Sequence, residues 1–150
     1  AAIAGAEVAS SHFRTGLEVE MKQGKTDVVT RADRETQRRI IEVLREEFPE
    51  DAIVSEEEDE LKSVPDSGAA WIIDPIDGTN NFVRDVPIWA TSVAVVNDGK
   101  TMGAANVLPE LEDRYVSDGT DVTLNGTRVT VSDRSDPETF RVCPVIWWPF

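Results

Sequence analysis

The apolar positions change period along the chain, and the changes divide it. Ala32, Ile40, Ile41, Leu44 and Phe48 recur at three- and four-residue spacing, which marks a helix with one buried face. Thr30 opens that helix, Asp33 lies in its first turn where a carboxylate complements the dipole, and Pro49 ends it. Upstream, residues 1 to about 19 are rich in Ala, Glu and small side chains and predict a first helix, with a loop at 21–25. Downstream the period shortens. Residues 52–54 form a short strand that runs into Ser55 and then Glu56-Glu57-Glu58-Asp59-Glu60. A polar loop ending Pro65-Asp66-Ser67-Gly68 leads to a strand at 70–73, which stops at Asp74-Pro75-Ile76-Asp77-Gly78. Residues 91–96 and 101–108 read as strands joined by the hairpin signal Asn97-Asp98-Gly99-Lys100. A further strand is expected at 114–116, and strands at 122–124 and 128–131 flank Asn125-Gly126. Two helices followed by a meander of strands is an α+β layout, not repeated βαβ.

Composition sharpens this picture. A chain of 150 residues suffices for one domain burying roughly 70% of its unfolded surface. Hydrophobic content of 40% and four Trp indicate a true core. The net charge is −14, from 29 acidic and 15 basic residues, and only four of the basic ones are Lys. Such a surface repels nucleic acid and anionic membranes, so neither is an expected partner. It also suits a cytosol of very high salt, and a halophilic source is expected. Cys143 stands alone, which rules out an intrachain disulfide and a Cys-based zinc site. No basic segment precedes an apolar run at the N-terminus, and no apolar stretch approaches the ~20 residues of a membrane span. A cytoplasmic protein is the expectation.

The chemistry gathers where strands meet carboxylates. The strands at 52–54 and 70–73 both run into acidic residues. If they are neighbours in one sheet, Glu56, Glu57, Asp74 and Asp77 converge at one edge. Anions brought that close raise each other's pKa unless a cation sits between them. Carboxylates with a backbone carbonyl are the oxygen-only set that Mg²⁺ prefers. Two other motifs fail on spacing. An EF-hand beginning at Asp74 would need an oxygen ligand at its third position, which is Ile76, and Gly at its sixth, whereas Gly78 is fifth. A haloacid-dehalogenase-type phosphatase separates its two Asp by two residues. Here the separation is three, with Pro75 between, so the first Asp is expected to point differently relative to the second.

Asp74-Pro75-Ile76-Asp77-Gly78-Thr79-x-Asn81, preceded by Trp71-Ile72-Ile73, resembles the signature of the inositol monophosphatase family. Archaeal-type fructose-1,6-bisphosphatases and nucleotide 3′-phosphatases are among that family's relatives. Further matches fall in the same order. Lys22 and Thr26-Asp27-Val28-Val29-Thr30-x-Ala32-Asp33 resemble the stretch before the second helix. Ile53-Val54-Ser55-Glu56-Glu57 resembles the Gly-Glu-Glu element, with Ser55 in place of the usual Gly, and Asn125-Gly126 fits the late hairpin. The resemblance covers roughly residues 1 to 140.

The resemblance implies a layered α/β sandwich of the sugar-phosphatase type, with two helices packed on a mainly antiparallel sheet. It implies a Mg²⁺-dependent, Li⁺-sensitive phosphomonoester hydrolase acting on a small sugar or inositol phosphate, or alternatively on 3′-phosphoadenosine 5′-phosphate. Glu56, Asp74 and the Ile76 carbonyl would hold one Mg²⁺, and Asp74 and Asp77 would share a second. Glu57 would act outside these ligands or on a weakly bound third ion. Gly78 and Thr79 would present backbone N–H groups to phosphate at a helix start. Thr79, oriented by Asp33, would help position and deprotonate the attacking water. His12 is expected to serve surface or packing roles. Arg84, two residues past Phe82, reads equally as a contact to a distal substrate group and as a solvated surface side chain.

Family members typically continue through a second domain carrying a Trp-Asp-x-Ala-type motif, which is absent here. Residues 1–140 are therefore expected to form the metal- and phosphate-binding α+β domain, and 141–150 the start of a truncated C-terminal α/β half. A weakly active fragment that binds metal or a partner subunit, and a structural acidic domain holding Ca²⁺, are the rival functions. A homodimer is the one macromolecular assembly expected.

Overall fold

The structure, a computed structural model, describes residues 1–15, 19–21, 28–55 and 61–140, with side chains left undescribed at 19–21 and 28–30. Helix α1 (Ala2–His12) is followed by a two-stranded antiparallel pair, β1 (Val19–Met21) and β2 (Val28–Thr30), and by helix α2 (Arg31–Glu47). Strand β3 (Ala52–Ser55) then precedes β4 (Ala69–Asp77) and the one-turn helix α3 (Thr79–Phe82). A meander follows through β5 (Ala90–Asn97), β6 (Lys100–Leu108), β7 (Asp113–Ser117), β8 (Val122–Leu124) and β9 (Thr127–Val129). The seven strands from β3 to β9 form one sheet in chain order. Among the described strands of this sheet, β3 and β4 run parallel and the other pairs antiparallel. This is the helices-on-a-mainly-antiparallel-sheet arrangement expected.

Both long helices lie on one face of the sheet. The stripe on α2 is Ala32, Asp33, Thr36, Gln37, Ile40 and Leu44, and Ile40 and Leu44 join Ala2, Ala6, Ile53, Ile73, Val93 and Val107 in the main core. Helix α1 buries Ala2, Gly5, Ala6 and Ala9, side chains small enough for the two helices to approach closely. A second cluster joins Ala9, Phe13, Ala32, Ile76, Phe82 and Trp89. Its rings meet at 5.4 Å for Phe13–Phe82 and at 4.9 Å, edge to face, for Phe82–Trp89. Such pairs contribute roughly 0.5–1.5 kcal/mol beyond area burial, and here they anchor α3 beneath the candidate site.

The structure departs from the sequence expectations at definite places. Helix α1 stops at His12, because Phe13 turns extended and Arg14 takes a left-handed φ of 60°. That break carries the Phe13 ring into the second cluster, a tertiary gain no local propensity reveals. Val19 and Met21 belong to β1 rather than to a helix and a loop. Thr30 does stand immediately before α2, as expected, and is also the last residue of β2. Phe48 is 45% exposed instead of buried, its ring 5.0 Å from Trp71. Strand β4 also continues through the acidic motif instead of stopping before it. Among the described residues no helix is long and apolar enough to cross a membrane.

Candidate active site

Strand β4 carries Asp74 and Asp77 to the rim of the sheet. Side chains three apart on a regular strand point to opposite faces. Here Asp74 pairs with Ser92 and Asp77 with Ala90, so three steps on β4 match two on β5. The extra residue is a β-bulge, and it restores parity. Asp74 and Asp77 therefore share a face and are exposed, while Pro75 and Ile76 between them are buried. Pro75 has no N–H to lose from the ladder, which suits it to a bulge. Its carbonyl is held instead by the fully buried hydroxyl of Thr91, which donates to it at 2.8 Å. The spacing argument that set the first Asp apart from the second thus yields to the bulge.

Beyond Asp77 the chain reverses at Gly78, whose φ of 94° and ψ of 36° are left-handed. A β-carbon there would meet the Ile88 carbonyl oxygen at 3.3 Å, so both conformation and space favour glycine. Helix α3 starts at Thr79. The Asn81 side chain braces the turn by donating to the Ile88 carbonyl at 2.6 Å. Arg84 donates to the carbonyl and the side-chain oxygen of Asn80 at 2.8 and 2.7 Å.

Asp33, in the first turn of α2, is 3% exposed. Its Oδ1 lies 3.4 Å from the Thr79 hydroxyl, which is also 2.9 Å from the Ile76 carbonyl oxygen. The contact to Ile76 is the shorter of the two, and Asp33 stands at the outer limit of a hydrogen bond. Beside Asp74 a cleft of about 570 Å³ opens along the sheet, lined by Ser55, Lys62, Ser92 and Asn106 among apolar neighbours.

Of the expected site residues, Asp33, Asp74, Ile76, Asp77, Gly78 and Thr79 come together at this one end of the sheet. Glu56 and Glu57 lie outside the described residues. Strand β3 does lie beside β4, parallel, with Ser55 opposite Ile73. The two strands are thus neighbours in one sheet, the condition on which the expected convergence rests. Among the described residues no three His, Cys, Asp or Glu side chains form a metal-holding group. The donors that are described, two exposed carboxylates and a backbone carbonyl, are all oxygen and fit a hard divalent cation. His12 is engaged elsewhere, 2.7 Å from Glu35.

The sequence reading did not single out Thr91, Gln37 or Lys62. Gln37 and Ser55 form a buried hydrogen bond of 2.7 Å, and Lys62 Nζ donates to the Ser55 carbonyl at 3.0 Å. A polar Gln on the apolar stripe of α2 was the available signal, because buried polar groups need a partner.

A model of the inositol monophosphatase family matches residues 1–145. The chain belongs to the inositol monophosphatase family. It is 38% identical over 122 residues to the fructose-1,6-bisphosphatase/inositol-1-monophosphatase of Thermotoga maritima, covering 80% of this chain and 46% of that protein. It is 34% identical over 129 residues to the Nus factor SuhB of Escherichia coli K12, covering 85% and 48%. The solved IMPase of Thermotoga maritima superposes with a TM-score of 0.78 at 35% identity, covering 86% of this chain and 50% of that one. The chain thus spans about half the length of the relatives it matches.

Proposed function

We propose that residues 1–140 form the metal- and phosphate-binding domain of a Mg²⁺-dependent hydrolase of small sugar or inositol monophosphates, with 141–150 beginning a second domain. The observation that carries this is the bulged end of β4, which sets Asp74 and Asp77 on one face directly before a turn whose Thr79 hydroxyl lies 3.4 Å from Asp33. Asp74, Asp77, the Ile76 carbonyl and Glu56 are the ligands in this reading, with Glu57 supporting them from outside. Bound Mg²⁺ would supply charge neutralisation at the phosphate oxygens and a lowered pKa for water. The protein's part is orientation. Gly78 and Thr79 would present backbone N–H groups to the phosphate, and the Thr79 hydroxyl would accept the proton of the attacking water as it gives its own to Asp33. An acidic chain thereby accepts an anionic substrate, because bound cations reverse the local sign.

Family relatives support the ions. An IMPase/NADP phosphatase with a TM-score of 0.70 and 25% identity was solved with Mg²⁺ and phosphate. A staphylococcal inositol monophosphatase with the same score and identity was solved as an inhibitory complex soaked in LiCl. The test is phosphate release from inositol 1-phosphate, fructose 1,6-bisphosphate and 3′-phosphoadenosine 5′-phosphate, with Mg²⁺, with EDTA, and with Mg²⁺ plus Li⁺. Mg²⁺-dependent, Li⁺-blocked release from either of the first two supports the proposal. Release from the nucleotide alone moves it to the 3′-phosphatase alternative, and release that persists in EDTA refutes it.

A further inference from the structure

We propose that the cleft beside Asp74 seats the hydroxyl-bearing half of a polyol phosphate, with Ser92 and Asn106 as the side chains that recognise its hydroxyls. This rests on the hydrolase reading above and narrows its substrate to esters of polyhydroxylated alcohols. The placement follows from the register of the sheet. Ile73, Val93 and Val107 point towards the helices and join the main core. Side chains alternate along a strand, so Ile72, Asp74, Ser92, Ala94, Ala104 and Asn106 stand on the opposite face. Among the described residues, none from α1 or α2 lines the cleft.

Two rows of side chains cross that face. Asp74 is paired with Ser92 and Ser92 with Asn106, so a carboxylate, a hydroxyl and an amide lie in line on β4, β5 and β6. Ile72, Ala94 and Ala104 form the neighbouring row by the same register. Partners on adjacent strands stand about 5 Å apart, which sets Ser92 one such step from Asp74 and Asn106 two. The short side chains of Ala94 and Ala104 sink the second row into a trough. Together the rows line a cleft of about 570 Å³, within the roughly 300–1,000 Å³ usual for small-molecule sites.

The chemistry of the walls selects the ligand. With the phosphate held at Asp74, the cleft is where the alcohol half fits. Ser92 offers a hydroxyl that both donates and accepts, and Asn106 an amide with one acceptor and two donor hydrogens, functions that neighbouring hydroxyls on a ring complement. The Ala94 and Ala104 methyl groups suit the C–H face of a sugar or inositol. A purine calls for an aromatic platform, and none of the described lining residues is aromatic. Asn106 also runs against its local setting. It lies inside β6 between Ala105 and Val107 with its side chain exposed, where a β-branched residue suits the strand better. A residue that breaks a local rule without a structural return marks a functional position.

The experiment measures kcat/KM in saturating Mg²⁺ for the better of inositol 1-phosphate and fructose 1,6-bisphosphate, and for phenyl phosphate, whose ring bears no hydroxyl. Asn106→Leu keeps the side chain's size and removes its hydrogen bonds. It is expected to lower the ratio of polyol ester to phenyl phosphate about tenfold, and Ser92→Ala to lower it in the same direction. A purely structural role, such as Ser92 propping Asp74, would slow both esters alike and leave the ratio at its wild-type value. An unchanged ratio in either variant overturns the proposal, as does wild-type release from phenyl phosphate and from neither polyol ester; the hydrolase chemistry survives both results. A wild-type chain that releases phosphate from none of the three esters brings down the hydrolase reading and this proposal with it.

Discussion

Asp33 Oδ1 lies 3.4 Å from the Thr79 hydroxyl, joining the first turn of α2 to the first residue of α3 across 46 positions of sequence. The hydroxyl is nearer the Ile76 carbonyl, at 2.9 Å, so Thr79 has one proton and two acceptors. The shorter bond holds the side chain in place, and the longer one offers a path for the proton. Asp33→Asn keeps the shape and removes the base. It is expected to lower kcat for phosphate release by about 10²-fold while leaving the Mg²⁺ concentration for half-activation nearly unchanged. A parallel loss of Mg²⁺ response would place Asp33 among the ligands instead.

Asp74 and Asp77 are both exposed, so neither contributes burial energy to the fold. Asp74→Asn and Asp77→Asn should each abolish Mg²⁺-dependent phosphate release, while a melt in EDTA shows each variant still folded. Assay and melt together decide the matter. Wild-type turnover in either variant would end these assignments.

The strand that bears those two residues also shows how far sequence reasoning reaches. Patterning located α2, the meander and the hairpin at Asn125-Gly126, because period and turn chemistry are local properties. The family motif likewise marked Asp74, Asp77, Gly78 and Thr79 before any fold was known. The bulge was not legible, because it exists only as a register mismatch between β4 and β5. The same holds for the end of α1, which depends on Phe13 finding Phe82 and Trp89 far along the chain. Gln37 looked like an ordinary helix residue until Ser55 was placed beside it.

Thr91 is fully buried and donates to the Pro75 carbonyl at 2.8 Å. Thr91→Val conserves volume but leaves that carbonyl without its donor, at a cost of about 1–3 kcal/mol. Urea unfolding should show the midpoint falling by that amount divided by m, with m unchanged. Turnover should fall as well, because the Ile76 carbonyl and both Asp residues ride on the same bulge.

Gly5 faces Ile40 where α1 crosses α2. A β-carbon at Gly5 would stand 2.5 Å from Ile40 Cγ1 and 2.8 Å from its Cδ1, with Ile40 itself fully buried. Alanine gains about 1 kcal/mol over glycine in helix propensity. Overpacking a closed core costs about 1–3 kcal/mol, and Cγ1 sits too near the backbone to swing away. The clash is expected to prevail. Gly5→Ala should destabilise the chain by on the order of 1 kcal/mol net in a denaturant titration, and a gain in stability would show that the helices can separate.

Glu35 supplies the pH dependence. The Arg31 side chain, bonded to it one turn away, lowers its pKa most, and His12, 2.7 Å from its other oxygen, lowers it further. A carboxyl whose pKa drops on folding binds more protons unfolded than folded. Its contribution is therefore present above the usual glutamate range, about pH 4.3, and is lost as pH falls through the lower folded value. Arg31 is 77% exposed and Glu35 28%, so solvent screens the pair and its worth at neutral pH is below about 1 kcal/mol. Glu35→Gln should flatten the acid limb of the stability–pH curve below about pH 4.3 and change little at pH 7. High salt should shrink the difference between the two proteins. If the variant instead steepened acid unfolding, the α1–α2 tether through Glu35 would not be the stabilising contact that its geometry indicates.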